Sequence, residues 1–183
     1  MIAQIQSKIG TTPDGIWGPK SRVACINYLR DLMPKVNPWP EQDTLSMTRF
    51  FGKAGNELNL TSMDVDGLGV KYDGKLVKTI RCNVRVAESL SRILDAVANS
   101  HSAYVLGEYG GCFNFRKMRG GNSLSVHSWG AAIDLDPDNN GNNQAWPTSS
   151  TMPLEVMEIF AREGWIPAGA FWGRDAMHFQ ATK

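Results

Sequence analysis

Cysteine is scarce in this sequence, and the three present, Cys25, Cys82 and Cys112 in 183 residues, follow no pattern. An odd number without C-x-x-C spacing argues against a disulfide framework and against a thiolate zinc cluster, so all three are expected to be reduced packing residues. An excess of charge is missing as well. Nineteen Lys and Arg against eighteen Asp and Glu leave a formal net charge of +1, which gives no support to nucleic acid as a partner, since its binders carry a strong basic surplus. Long apolar runs are absent. No stretch approaches the roughly eighteen apolar residues of a membrane helix, and the opening MIAQIQSKIG shows no charged segment leading into an apolar one, so neither membrane insertion nor a Sec signal is expected. A protein made this way and acting outside the cell would leave by another route, such as a membrane permeabilised by a second protein. There is no internal repeat and no G-x-G-x-x-G or Walker pattern, so Gly110, Gly111, Gly120 and Gly121 read as turns and not as a phosphate cradle.

What is present is ordinary for a folded globular chain: 42% hydrophobic and 20% charged residues, at a length that suits one domain with a small appendage, expected as a monomer. Residues 2–9 and 19–32 predict two short helices around a loop holding Asp14-Gly15, with Pro19 as a first helical residue. On the second helix, Val23, Ile26 and Leu29 or Arg30 form the expected apolar stripe, widened by Ala24 and Cys25. Pro34, Pro38 and Pro40 forbid a helix and mark 34–44 as a linker between a helical segment, 1–33, and a main domain, 45–183. VKYDGKLVKTI predicts a hairpin turning at Asp73-Gly74. Residues 84–99 predict a helix, with Val84, Ala87, Leu90, Ile93 or Leu94 and Val97 along one face. A strand followed by a long shaped loop is expected over 103–121, a buried strand over 131–135 and a loop over DPDNNGNN. That loop opens like a calcium-binding EF-hand, but its twelfth position is Pro147, so calcium is not expected. A helix over 153–163, capped by Ser150 or Thr151 and ended by Gly164, precedes a last strand over 176–181.

Two of the only three histidines lie in contexts that suit a metal. In S-V-H-S-W-G-A-A-I-D, His127 on a loop is followed by Asp134 on the expected strand; further on, R-D-A-M-H-F-Q supplies Asp175 and His178. Catalytic zinc takes three N and O ligands and leaves a position open for water, whose pKa falls from about 15.7 to about 7 on coordination. His127, Asp134 and His178 meet that count, and Asp175 is placed to exchange the proton. Spacing alone leaves a second reading open, with Asp134 capping a turn in DLDPDNNG and the histidines in ordinary hydrogen bonds. His101 reads as a surface or helix-end residue. Trp129, Trp165 and Phe171 could stack on sugar rings, but at least two of them are expected in the core.

The string S-x-H-x-x-G-x-A-x-D, matched by Ser125, His127, Gly130, Ala132 and Asp134, together with D-x-M-H-F-Q at Asp175–Gln180, resembles the M15 metallopeptidases. These comprise D-alanyl-D-alanine carboxypeptidases and dipeptidases and the L-alanyl-D-glutamate endopeptidases of phage endolysins. The likeness extends to G-G-C-F-N-F-R, ending in Arg116, and to G-W-I-P-A-G-A-F-W-G, and covers roughly residues 60–183. It implies an α+β, hedgehog/DD-peptidase-like domain, a small mixed or antiparallel sheet with helices on one side and one zinc ion in a cleft at its edge. His127, Asp134 and His178 would be the ligands and Asp175 the general base. Arg116 would polarise the scissile carbonyl, and Ser125 and Trp172 would contact substrate. The substrate implied is a peptidoglycan stem peptide. Some relatives have glutamate where this chain has Asp175 and Gln180; the shorter base is usual in the endopeptidase branch and is no defect. The expected lack of a Sec signal and the wall-binding-like N-terminus favour an endolysin-type L-alanyl-D-glutamate endopeptidase over an exported D-alanyl-D-alanine carboxypeptidase. A wall-binding or virion structural protein with a vestigial site is the alternative from another class. The N-terminal segment resembles the second half of a peptidoglycan-binding helical module, whose D-G-x-x-G-P-K core is matched by Asp14, Gly15, Gly18, Pro19 and Lys20, though a first helix is lacking. It reads equally as a small helical hairpin packed on the catalytic domain.

Overall fold

Short helices separated by glycine and proline stops open the chain in the computed structural model, which describes residues 1–118 and 120–183. Helices α1 (Ile2–Lys8) and α2 (Pro19–Leu32) stand where expected, with Pro19 in the first turn of α2. The loop between them is organised by buried Gln6, whose side-chain amide donates to the Asp14 carboxylate at 2.8 Å and accepts the Gly15 N–H at 2.9 Å. The apolar stripe expected on α2 holds at Cys25 and Leu29 but not at Val23. Ser21, Cys25 and Leu29 are the buried row and Val23 is exposed, because the inward position at Ser21 is polar and takes a hydrogen bond from Gln6, which hydrophobicity does not register.

The proline-rich stretch after α2 is anchored along its length. Asn37 donates to the Gly164 carbonyl at 2.8 Å, and the buried Trp39 indole donates to the Glu163 carbonyl at 2.8 Å. Helix α3 (Thr44–Phe51) follows, capped by Asp43, whose carboxylate accepts the Ser46 N–H at 2.9 Å. It is absent from the sequence-derived outline because only Met47 and Phe51 are buried in its eight residues, too few to show a period. Strands β1 (Leu60–Asp64) and β4 (Thr79–Asn83) pair antiparallel and enclose the hairpin β2 (Lys71–Tyr72) and β3 (Lys75–Leu76). The hairpin turns at Asp73 and Gly74, with φ of 48° and 71°, as the Asp-Gly pair predicts. Helix α4 (Ala87–Ala98) buries Leu90, Ile93, Leu94 and Val97. It starts later than expected and leaves Val84 exposed, since the Val84 N–H is taken by the Asn59 carbonyl and the Arg85 N–H by the Asn83 side chain.

A four-stranded antiparallel sheet carries the rest, in the order β5 (Tyr109–Gly111), β6 (Ala132–Leu135), β8 (His178–Gln180), β7 (Ile166–Pro167). Of the strand expected after Ala103, only β5 forms; Ala103–Gly107 is a 3-10 turn. Pro137–Asn140 is a helical turn, α5, where a loop was expected, with Asp136 accepting hydrogen bonds from the Asn139 and Asn140 amides. Helix α6 (Leu154–Arg162) has no side-chain cap from Ser150 or Thr151. Asn140 Oδ1 instead accepts the N–H groups of Thr151 and Met152, and Gly164 (φ 78°) ends the helix as expected. Helix α7 (Ala168–Trp172) links β7 to the turn before β8. Strand β6 is buried along its whole length, and on the helix side of the sheet Phe179 stacks on Phe160 of α6 at 3.9 Å between ring centres. The fold is therefore α+β. The three cysteines are buried and unpaired, as expected.

Candidate metal centre

Alternation along a strand sends successive side chains to opposite faces. In β6 and β8, Ile133 faces Phe179 in the register and Asp134 faces His178, so one pair joins the core and the next meets on the other face. Gly110 of β5 makes room there: a Cβ on it would lie 2.8 Å from that of Asp134. His127 arrives from a 3-10 turn, Val126–Trp129, which ends at Gly130 with φ 67°. Gly130 is pressed against Leu60 and the Asn83 N–H, where a Cβ would come within 3 Å of both, so only glycine lets the turn seat His127 beside the sheet.

Hydrogen bonds fix the tautomer of each ring. His127 Nδ1 lies 2.7 Å from the Cys112 carbonyl, which can only accept, so Nδ1 carries the proton and Nε2 a lone pair. His178 Nε2 lies 3.0 Å from Gln180 Oε1, while the Gln180 NH2 donates to Thr182, so the lone pair of His178 is on Nδ1. His127 Nε2 and His178 Nδ1 stand 3.2 Å apart, and Asp134 Oδ1 is 3.2 Å from the first and 3.0 Å from the second. With both rings neutral, three electron-pair donors thus converge with no hydrogen of their own to share, and all three residues are buried. This arrangement calls for a cation. Two imidazoles and a carboxylate, each ring held from behind by an acceptor, form a donor set suited to zinc.

Electrostatics show the same demand. Burial pushes the Asp134 carboxyl up, but the hydrogen bonds and charges of His127 and His178 outweigh it and hold the group well below the usual carboxylate range. Burial would lower His178, yet the hydrogen bond and charge of Asp134, helped by Gln180 and Asp175, raise it above the ordinary histidine range.

The other expected residues border the same site. Asp175 sits in a tight turn at φ 59°, its carbonyl accepting the His178 N–H at 2.9 Å. Its Oδ1 is buried and, among the described residues, has no hydrogen-bond partner. Burial, opposed by His178 and reinforced by Asp134, raises its pKa. Arg116 is tied to the turn that bears His127. Its N–H donates to Ser128 Oγ at 3.1 Å, and its carbonyl accepts from the Ser128 hydroxyl at 2.8 Å and from the Ser125 N–H at 3.0 Å. Trp172, at the end of α7, stacks on the His178 ring at 5.5 Å and 25°. Arg116, Ser125, Asp134, Trp172, Asp175 and His178 line one cleft of about 220 Å³, and His127 reaches the cluster from behind it.

The same cleft is lined by Gln42, Asn142 and Arg174, which the sequence reading did not single out. Arg174 had a signal, since it directly precedes Asp175 in R-D-A-M-H-F-Q; Gln42, brought in from the proline-rich connector, had none. Of the residues weighed for sugar stacking, Trp129 and Trp165 are core; His101, read as a surface or helix-end residue, is exposed.

A family model of the M15 peptidases, described as D-alanyl-D-alanine carboxypeptidase, matches residues 119–181. The matched segment spans roughly a third of the chain and contains His127, Asp134, Asp175 and His178, while Arg116 lies just ahead of it. The match supports a place for the chain among these peptidases. No curated protein and no solved structure matches the chain.

Proposed function

We propose that this chain is a zinc-dependent peptidase of peptidoglycan stem peptides, cutting the L-alanyl-D-glutamate bond as an endolysin does, on a hedgehog/DD-peptidase-like fold. The observation that carries the proposal is the convergence of His127 Nε2, Asp134 Oδ1 and His178 Nδ1 as three lone-pair donors whose tautomers are set by the Cys112 carbonyl and Gln180. These three atoms would hold the ion. When bound, zinc supplies Lewis acidity that makes water nucleophilic near neutral pH.

The remaining steps fall to the chain's own side chains. Asp175 takes the proton of the attacking water as the C–O bond forms, and returns it to the leaving nitrogen as the C–N bond then breaks. Its buried, unpartnered Oδ1 and raised pKa suit a group that must both accept and give a proton. Arg116, a fixed cation beside the His127 turn, polarises the scissile carbonyl and stabilises the developing oxyanion. Ser125 and Trp172 contact the substrate backbone and side chains along the cleft. The helical segment 1–33, the linker 34–44 and the peptidase part 45–183 act as one monomer. Hydrogen bonds from Lys8 and Tyr28 to Glu158 of α6 support reading the first segment as packed on the peptidase part.

The description of the matched family favours a second reading, a D-alanyl-D-alanine carboxypeptidase with the same zinc chemistry. Digestion of purified sacculi followed by mass spectrometry separates the two. Stem peptides released with a new alanine carboxyl and a new glutamate amine are expected; free D-alanine with intact stems would select the carboxypeptidase.

A further inference from the structure

We infer that Arg174 is a specificity residue, receiving a free carboxylate on the substrate residue that supplies the leaving amine. The inference rests on the peptidase reading above and assigns a role to a side chain that reading leaves unused. Among the described residues, two guanidinium groups line the cleft, those of Arg116 and Arg174. Among the described residues, no carboxylate lies within ion-pair distance of either. Arg116 is occupied locally, donating to the Lys117 carbonyl at 3.2 Å, with its backbone clamped to the His127 turn. Arg174 is exposed, and its side chain makes no hydrogen bond among the described residues.

The cleft's charge balance says what it would attract. Asp134 is committed to the two histidines, and Asp175 is the only other carboxylate among the described residues that line the cleft. Two guanidiniums balance those two carboxylates, so a bound divalent ion leaves a surplus of positive charge. A cleft of that sign concentrates an anionic peptide over a neutral one.

Position along the chain says which part of the peptide. Asp175 delivers its proton to the leaving nitrogen, so it stands on the amine side of the scissile bond. Arg174 is its immediate neighbour, one Cα step of about 3.8 Å away, and its charge is felt at Asp175. It therefore reads the residue that owns the leaving nitrogen. A glutamate linked through its amine and one carboxyl keeps a second carboxyl free, which is the group a guanidinium fork binds best. The side-chain amides of Gln42 and Asn142 in the same cleft supply neutral hydrogen bonds to the peptide backbone.

The test uses the full-length, zinc-loaded protein and two matched stem peptides, one with the free glutamate carboxylate and one with that group as a carboxamide. The acid peptide is expected to be cleaved with a kcat/KM about ten- to a hundredfold higher, mostly through KM, the worth of one charged hydrogen bond. Arg174→Gln should collapse that ratio towards one and Arg174→Lys should restore part of it, whereas Arg116→Gln should slow both peptides and leave the ratio standing. A wild-type ratio near one, or a ratio that survives in Arg174→Gln, overturns the inference while leaving the peptidase reading intact. If neither peptide is cleaved, the peptidase reading fails, and calorimetric binding of both peptides to Asp175→Ala and to Asp175→Ala/Arg174→Gln decides the matter. Equal affinity for acid and amide in the first of these overturns the inference; an acid preference lost in the second upholds it.

Discussion

A histidine becomes a metal ligand through what lies behind it as much as through what lies in front. His178 presents Nδ1 to the cluster because Gln180 holds its Nε2–H, and His127 presents Nε2 because the Cys112 carbonyl holds its Nδ1–H. Gln180→Leu keeps the bulk but removes the acceptor, so zinc affinity should fall about ten- to a hundredfold, as measured by competition with a chelator; unchanged affinity would remove Gln180 from the account. Protons compete for the same lone pairs. Because the metal-free cluster raises the His178 pKa, a proton still occupies that nitrogen at pH values where an ordinary histidine is neutral. Zinc must displace it there, so affinity should weaken as pH falls through that raised pKa and level off above it. Titrations across pH 5–8 check the sign. At this scale the sequence was legible where motifs name side chains: His127, Asp134, Asp175 and His178 come together as their strings imply. The Cys112 carbonyl was not, because every residue carries one and only the fold decides which faces a ring.

The element that makes the site is the pairing of β6 with β8. Register places Asp134 opposite His178 and Ile133 opposite Phe179, so the site face and the core face are locked together. The core face is held by Phe160 of α6 stacked on Phe179, both fully buried. Phe160→Ala should cost about 3–5 kcal/mol by denaturant unfolding; a loss under 1 kcal/mol would show that α6 does not hold the sheet. Elements with strong local signals were readable: the Asp73-Gly74 hairpin, the apolar face of α4, the glycine after α6. Those set by distant partners were not. The buried row of α2 includes Ser21, satisfied by Gln6, and the start of α6 is held by Asn140 from another element.

Taken whole, the molecule shares one core between its N-terminal helices and the sheet domain. Ile5, Cys25 and Leu29 belong to the same buried cluster as Phe160 and Phe179. Lys8 and Tyr28 reach the nearly buried Glu158 at 2.6 and 3.0 Å, and Trp17 packs edge-on against Trp146 at 5.3 Å. Such continuity predicts a single calorimetric unfolding transition with equal calorimetric and van't Hoff enthalpies; two transitions would show the N-terminal helices melting separately. The sequence offered a helical hairpin packed on the main domain as one of two equal readings but could not name its partners, because contacts between residues 130 or more positions apart leave no local pattern.

Metal content tests the central claim most directly. Elemental analysis of the purified protein should find one zinc per chain, and His127→Ala, still folded, should hold close to none and cleave no wall peptide. A wild-type protein that carries no zinc yet releases stem peptides, or a His127→Ala variant that releases them as fast as the wild type, would contradict the account.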